Sequence, residues 1–228
     1  MNSLWRTLDR GTLRDIGLLC VADAVVGASF GAIAVSGGLD TWVPIVMSVL
    51  VFAGGAQFAA IGIALSGGSA IAAVVTGLLL NARLMPYSLA LADVLGSTWR
   101  KKLVGAQILT DESAAFALQG ADPAKRGAAF WTSGLALFAV WNISVVLGAI
   151  AGNAVGDTEA FGLDTAFPVV LLALVMPALR ERRTRNAALA GAVVAVAATP
   201  FLPAGLPVLV GLVGLFLARK PPHQKATT

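Results

Sequence analysis

The sequence has very little charge. Asp, Glu, Lys and Arg make up 12% of its 228 residues, about half of the ~25% that is typical of soluble domains. So few charges cannot cover the surface of a water-soluble protein of this size, whereas hydrophobic residues reach 57%. This composition excludes an ordinary soluble enzyme, a disordered chain and a nucleic-acid binder with a basic face. It predicts an integral membrane protein in a lipid bilayer.

The sequence also has one cysteine, Cys20, and one histidine, His223. A disulfide needs two cysteines, and a Cys/His metal site or a histidine-based triad needs residues that are missing here. We therefore expect Cys20 to be a small core residue. We predict no metal site, no cofactor and no enzymatic activity.

Long uncharged runs predict membrane-spanning helices, each of which needs about 20 apolar residues. Turn-forming residues at 66–69 divide the longest run, and three prolines between 200 and 207 divide another. The predicted spans are Asp15–Val35, Trp42–Leu65, Ala70–Leu95, Ala128–Ala151, Thr165–Leu179, Asn186–Thr199 and Leu206–Ala218. The predicted fold is an all-α integral membrane protein with about seven transmembrane helices, or eight if segment 103–119 also crosses.

Segment 103–119 is apolar at both ends but carries two acidic residues in its middle. It could be an interfacial helix, a re-entrant loop or an eighth pass. If it crosses, the N-terminal arginines Arg6, Arg10 and Arg14 are cytoplasmic and the basic residues at 100–102 are outside. If it does not cross, the two groups exchange sides, so either topology misplaces three positive charges.

The C terminus is expected in the cytoplasm, because two spans separate the arginine-rich loop 180–185 from the basic tail and positive residues favour that side. The predicted organisation is a basic N-terminal segment at 1–14, one transmembrane domain at 15–218 and a polar tail at 219–228.

Two parts of the chain resemble each other. The motif Gly-Leu-Asp-Thr-x-x-Pro occurs at 38–44 and again at 162–168. The span before each copy carries two glycines four residues apart, namely Gly27 with Gly31 and Gly148 with Gly152. A duplicated three-span unit, at about 15–95 and 128–199, would give this pattern. The repeat is parallel if 103–119 crosses and inverted if it does not. Chance recurrence of a common helix start is the alternative.

Polar residues within the spans are candidates for function, since a charge at mid-membrane costs about 2.5–3.5 kcal/mol on insertion scales. Asp23 and Arg83 could form an ion pair, or Arg83 could bind a substrate carboxylate. The Gly54-Gly55 pair and Pro86 predict broken helices, whose free amides and carbonyls suit a zwitterion. The candidate substrate-binding residues are Gly54, Gly55, Gln57, Asn81 and Arg83. Alternatively, Arg83 reaches an interface and Gln57 only bridges helices.

The adjacent acids Asp111 and Glu112 point about 100° apart on a helix, so they do not converge on one bond. One interpretation is a helix start, capped by Thr110 or Asp111 and favoured by the helix dipole. The other is a cation or proton site. Together with Asp23, these two acids are the candidate coupling residues.

Three ordered sequence blocks resemble the signature blocks of the AzlC family, the large subunits of bacterial branched-chain amino acid exporters. They lie at 52–58 (FAGGAQF), 79–88 (LLNARLMPYS) and 109–117 (LTDESAAFA), and the similarity extends from about Gly17 to Leu217. The chain departs from the family pattern at Val25-Val26, where a Pro-Phe pair is common, and at Leu84, where a histidine is common. Both departures leave the substrate range open.

The resemblance implies export of valine, leucine, isoleucine or methionine across the bacterial inner membrane, driven by the proton gradient, with an AzlD-type small membrane subunit as partner. Our main hypothesis is such a secondary transporter, with Gln57, Asn81 and Arg83 along the substrate path. The alternatives are a membrane-embedded enzyme that uses Asp111 and Glu112, and a scaffold subunit that transports nothing.

Overall fold

The computed structural model of the protein describes residues 7–96, 98–154, 172, 176, 178–202 and 206–214. These residues form helices and turns, and no strand occurs among them. The α-helices are α1 Arg10–Ser36, α2 Trp42–Leu50, α3 Gly54–Leu65, α4 Ala70–Asn81, α5 Met85–Ala90, α6 Trp99–Gln107, α7 Asp111–Leu118, α8 Pro123–Ala154, α9 Arg182–Ala198 and α10 Leu206–Gly211. The predicted all-α class is confirmed.

Within the described part of the chain, three helical stretches are long and apolar enough to cross a membrane. They are α1, the α4–α5 stretch Ala70–Ala90, and α8. The expected spans Asp15–Val35 and Ala128–Ala151 lie inside α1 and α8. Most of the expected span Thr165–Leu179 lies outside the described residues, so the total of seven or eight spans stays a prediction.

Helices α1 and α8 form the centre of the fold through close contact of their glycines. A Cβ atom on Gly148 would collide with the backbone carbonyl of Ala28, and one on Gly31 would collide with that of Val145. Small residues four apart allow this approach between membrane helices. Gly27 lies against Ser144, and later in both helices Gly152 lies against Ala32. Positions therefore increase together along the interface, so α1 and α8 run parallel.

The expected span Trp42–Leu65 is interrupted, as the glycine pair at 54–55 predicted. Helix α2 ends at Leu50 and α3 begins at Gly54, and between them Phe52 has a positive φ of 35°. The predicted break thus lies just before the glycine pair, which forms the first turn of α3. The ring of Phe52 fixes this conformation by packing at 4.9 Å from the ring of Phe138 in α8.

Helix α3 returns to the end of the molecule at which α2 began. The rings of Phe30 in α1 and Phe58 in α3 are 5.3 Å apart, and the side chain of Leu65, at the end of α3, contacts Gly37, just after α1. Helix α3 is therefore parallel to α1, and α2 approaches from the same end. We call the α2–α3 pair hairpin A. Its two helices run in opposite directions, so it begins and ends at the same end of the molecule.

The third expected span, Ala70–Leu95, contains one long apolar stretch, formed by α4 and α5 joined by a 3₁₀ turn at Ala82–Leu84. Ser69 caps its start by accepting a hydrogen bond from the N–H of Ala72 at 3.1 Å. The stretch ends at Ala90 because residues 91–94 form turns. There the carbonyl of Ala90 accepts a hydrogen bond from Arg126, near the start of α8, at 3.0 Å.

Segment 103–119 is not an eighth continuous pass but parts of two short helices, α6 and α7, with a break at 108–110. Ile108 at this break packs against Gly134 of α8, whereas Gly120, after α7, packs against Arg126. Helix α7 is thus antiparallel to α8 and ends where α8 begins. We call the α6–α7 pair hairpin B. Of the three expected possibilities, the re-entrant loop is compatible with this broken form and stays a prediction.

The two hairpins enter from opposite ends and meet at their breaks. The side-chain amide of Gln107, the last residue of α6, donates a hydrogen bond to the carbonyl of Val49 near the end of α2 at 2.8 Å. The order along the chain is therefore the long helix α1, hairpin A, the long α4–α5 stretch, hairpin B and the long helix α8.

This arrangement removes the conflict between the two expected charge distributions. The starts of α1, α6 and α8 all lie at one end of the molecule, which we call the basic end. It carries Arg10, Arg14, Arg100, Lys101, Lys102, Lys125 and Arg126. No group of three charges has to be misplaced.

The predicted repeat stays a prediction, because its second motif, at 162–168, lies outside the described residues. The parallel α1 and α8 are compatible with its parallel form. The outermost N-terminal residues 1–6 and the tail 219–228 are also outside the description. In the last part of the described chain, α9 and α10 pack together. A Cβ atom on Gly211 would lie 3.0 Å from the carbonyl oxygen of Gly191.

Candidate functional site

A cavity of about 620 Å³ lies where the broken helices meet. This is within the range of about 300–1,000 Å³ for small-molecule sites. Its wall is formed by α1, the tips of both hairpins, the Asn81–Leu84 region between α4 and α5, and α8. We call it the central cavity.

Seven of the eight side chains or glycines predicted from sequence line this cavity. They are Asp23, Gly54, Gly55, Asn81, Arg83, Asp111 and Glu112. They come from four segments that are far apart in sequence, so the fold brings together what the sequence analysis selected one residue at a time.

Gln57 is the exception, since it is not among the residues that line the cavity. Its side chain is completely buried, on a helix whose first residues do line the cavity. Neither its amide nitrogen nor its amide oxygen has a hydrogen-bond partner within the described part of the protein. Such groups are costly in an apolar interior.

Arg83 is paired with Asp111 and not with Asp23. Its Nη1 atom is 2.8 Å from Oδ2 of Asp111, so the ion pair joins the α4–α5 break to the tip of hairpin B. The side chains are 59% and 32% exposed, since both border the cavity. Of the two possibilities considered for Arg83, the Asp23 ion pair is not formed.

Asp23 has no such partner. Its Oδ2 atom is buried and makes no hydrogen bond to any described residue. The carboxylate of Glu112 acts on it electrostatically and carries the same sign of charge. A carboxylate so placed within a membrane needs a proton or a cation to neutralise it.

The charges that line the cavity do not balance. Three carboxylates, those of Asp23, Asp111 and Glu112, face one guanidinium, that of Arg83. Since Asp111 is paired with Arg83, the carboxyl groups of Asp23 and Glu112 have no cationic partner among the residues that line the cavity.

The two hairpin tips differ in how their helices begin. Helix α7 has a capping box, in which Ser113 N–H donates to Thr110 Oγ1 at 3.2 Å and Thr110 N–H donates to Ser113 Oγ at 2.9 Å. This bears out the interpretation of Thr110 as a cap. The two acids that follow are stabilised by the helix dipole at the start of α7. Helix α3 begins at Gly54 without any side-chain cap, so its first amides remain available to an anion.

The rest of the cavity wall is apolar and includes residues that the sequence analysis did not select. They are Leu19, Val26, Phe52, Leu80, Leu137 and Trp141. Trp141 is only 3% exposed, and its ring would lie 3.0 Å from a Cβ atom on Gly54. Its position within a long apolar run gave no sign of this role. A polar centre beside an apolar wall suits a small molecule with charged groups and a hydrocarbon side chain.

The described residues contain no group of three or more Cys, His, Asp or Glu side chains that could hold a metal ion. The enzyme hypothesis uses Asp111 and Glu112 as a pair of acids. In the structure, Asp111 forms an ion pair with Arg83.

A family model described as AzlC protein matches residues 19–155, a range that contains the whole central cavity. The chain belongs to the AzlC family. A relative from Bacillus subtilis, named branched-chain amino acid transport protein AzlC, is 25% identical over 207 residues, which cover 88% of this chain and 81% of the relative. A relative from Helicobacter pylori, named only as an uncharacterized membrane protein, is 29% identical over 202 residues, which cover 85% of this chain and 86% of the relative.

No solved structure matches the chain. The names of the AzlC family and of these relatives point to a membrane transport protein and away from an enzyme. Together with the apolar helices, they identify this chain as a membrane protein of the AzlC family.

Proposed function

We propose that this AzlC-family chain is a secondary transporter that exports branched-chain or similar apolar amino acids across the bacterial inner membrane. The observation that carries the proposal is the central cavity. It combines an uncapped helix start and a guanidinium, which attract a carboxylate, with an unpartnered carboxylate, which attracts an ammonium group. Its apolar wall would accept the hydrocarbon side chain. The Bacillus subtilis relative is named for branched-chain amino acid transport, which supports this substrate class.

The expected roles follow from these positions. Gly54, Gly55, Asn81 and Arg83 would contact the substrate, whereas Asp23, Glu112 and Asp111 would respond to protons. Among the acids, Asp23 is the best candidate for the coupling proton, because it alone combines a buried oxygen with the absence of a described partner. Several amino acids should compete for the site, since one methylene changes affinity only by about 1–3 kcal/mol in an apolar pocket.

The basic end is proposed to face the cytoplasm, because positively charged residues favour that side. The N terminus would then be cytoplasmic, and hairpin A would enter from the outer side. The arginine-rich loop 180–185 and the C-terminal tail would also lie inside, as the sequence analysis expected. Residues 15–218 would form a single transport domain.

A small AzlD-type membrane subunit is proposed as the partner, on the basis of the resemblance to the family. Apolar side chains along α4 are available for such a contact or for lipid, since Ile71 is 77% exposed and Leu78 is 66% exposed.

The proposal is tested in proteoliposomes that contain the full chain and a co-produced small subunit. Vesicles are loaded with labelled valine or isoleucine, and efflux is followed with and without an external pH below the internal pH. Efflux should exceed that from protein-free vesicles loaded with the same label. It should increase when the exterior is acidic, because protons that enter would drive the amino acid out. The Arg83→Gln variant should lose efflux. Absence of efflux from correctly inserted wild-type protein would refute the proposed function.

A further inference from the structure

The ion pair between Arg83 and Asp111 occupies the place where a substrate carboxylate would bind. The Nη2 atom of Arg83 lies 4.0 Å from where a Cβ atom on Gly55 would be, so the guanidinium is beside the uncapped start of α3. Its Nη1 atom is 2.8 Å from the Asp111 carboxylate. A guanidinium presents several donors in one plane and prefers a carboxylate as partner. In the described structure, the carboxylate that it holds belongs to the protein.

Asp111 differs from an ordinary structural partner because it lies at the tip of hairpin B. The segment before it is the break at 108–110, and α7, which it begins, has only eight residues. Arg83 belongs to a different element, the 3₁₀ turn within a crossing stretch. The ion pair is thus a connection between a crossing helix and a re-entrant hairpin, on the cavity side of that hairpin.

Contacts other than this ion pair also hold hairpin B. Ala114 and Ala117 of α7 are fully buried in one cluster with Phe130 of α8, and the side-chain amide of Gln107 donates to the carbonyl of Val49 at the tip. The ion pair is the charged contact on the cavity side. Its loss would leave the apolar cluster and this hydrogen bond to hold the hairpin closed.

We propose that Arg83 is the carboxylate site of the transporter and that Asp111 is an internal competitor, which occupies Arg83 when no substrate is bound. A substrate carboxylate replaces Asp111 on Arg83 and thereby releases the tip of hairpin B, which opens the cavity toward the basic end. No covalent bond changes in this exchange. The inference rests on the proposed function for the identity of the substrate, but the ion pair as a closing contact can be tested without any substrate.

The substrate-free test uses cysteine labelling of the full chain in membrane vesicles. In a Cys20→Ala background, Ala114→Cys places a thiol where α7 packs on α8, and Ala117→Cys provides a second position if the first variant is not produced. N-ethylmaleimide labels such a thiol only when the hairpin opens. Asp111→Asn and Arg83→Gln should each increase the labelling rate by about tenfold, because each removes the same charge-assisted contact. Their combination should have no larger effect than either alone.

Two controls separate the ion pair from general loosening. Asp40→Asn removes an exposed carboxylate that does not line the central cavity, and should leave labelling at position 114 unchanged. A thiol at Ala34, which is fully buried on α1, should stay protected in every variant. Equal labelling in wild type and both ion-pair variants would overturn the proposal, and so would equal acceleration by Asp40→Asn.

The substrate test adds isoleucine or isoleucinamide to the same vesicles. Isoleucine should accelerate labelling of the wild-type background, whereas isoleucinamide, which lacks the carboxylate, should not. In a binding assay with labelled isoleucine, Asp111→Asn should bind about fivefold more tightly, because no internal carboxylate has to be displaced, and Arg83→Gln should lose binding. Tighter binding by Glu112→Gln alone would overturn the role of Asp111. If the variants open hairpin B but no apolar amino acid binds to wild type, the closing contact stands and the proposed substrate fails.

Discussion

At the residue scale, the site consists of a few charges whose importance could be predicted from sequence but whose partners could not. Asp23, Arg83 and Asp111 were selected because a charge in an apolar segment is expensive. Their pairing depends on how distant segments fold together, and the structure joins Arg83 to Asp111 and leaves Asp23 without a partner. Trp141 was not selected, since an apolar ring in an apolar run carries no such signal.

Asp23→Asn should uncouple efflux from protons, because the amide keeps the shape of the carboxyl group but cannot carry the proton. In proteoliposomes, the ratio of efflux with and without an acidic exterior should fall to about one. The measurement is the initial rate of labelled isoleucine efflux under both conditions.

Asp40→Asn is the matched control for this prediction. Asp40 is exposed in the turn between α1 and α2 and does not line the central cavity. This variant should keep the acceleration by an acidic exterior. If Asp23→Asn keeps it as well, another group carries the proton.

At the element scale, the sequence predicted where helices break but not what the breaks do. The glycine pair at 54–55 and Pro86 both marked interrupted helices, as found. Hydropathy cannot distinguish a crossing from a hairpin, since the two halves of 42–65 together are as long as one span. The direction in which α3 leaves the break is determined by contacts with α1, such as that between Phe58 and Phe30. These contacts are not local in sequence.

The two hairpins predict from which side of the membrane the residues at their ends can be labelled. In a Cys20→Ala background, single cysteines at Asp40 and Ser66, before and after hairpin A, should react with an impermeant maleimide from the same side of the membrane. Cysteines at Lys101 and Ala121, at the two ends of hairpin B, should react from the other side. If segment 42–65 crossed, positions 40 and 66 would be labelled from opposite sides.

Gly148→Ala should destabilise the contact between α1 and α8, because its Cβ atom would collide with the carbonyl of Ala28. Overpacking of this kind costs about 1–3 kcal/mol, which corresponds to several degrees of Tm for a chain of about this length. Thermal unfolding in detergent, followed by size-exclusion chromatography, provides the measurement.

Gly127→Ala is the control on the same helix, because nothing lies within 4 Å of where its Cβ atom would be. Alanine is the better helix former by about 0.5–1 kcal/mol, so this variant should keep or raise the Tm. A similar loss of stability in both variants would show that the contact with α1 is not the cause.

At the scale of the whole molecule, the positive charges fit the topology only after two segments are removed from the list of crossings. With neither hairpin counted as a crossing, the basic residues near the starts of α1, α6 and α8 gather at the basic end, whereas Arg83 lines the central cavity. With 42–65 counted as a crossing, three charges are misplaced whichever way 103–119 is assigned.

The two termini should lie on the same side, in the cytoplasm. Epitope tags at the N and C termini should bind antibody only after the inner membrane is permeabilised, because the basic end and the basic tail share the side that positive charges favour. A tag on an outer-side loop, inserted at Gly38, should bind antibody in spheroplasts. An accessible N-terminal tag in intact spheroplasts would reverse the assigned orientation.

The break at the tip of hairpin A also constrains the order in which the protein assembles. Backbone that leaves its helix at membrane depth is tolerated only inside protein or along a water-filled cavity, because lipid cannot satisfy its polar groups. Phe138 and Trp141 of α8 lie beside residues 51–53 and cover this break. The ribosome adds both of them more than eighty positions later. Hairpin A therefore cannot take its final form as it emerges during synthesis, and its closure must wait until α8 is in the membrane.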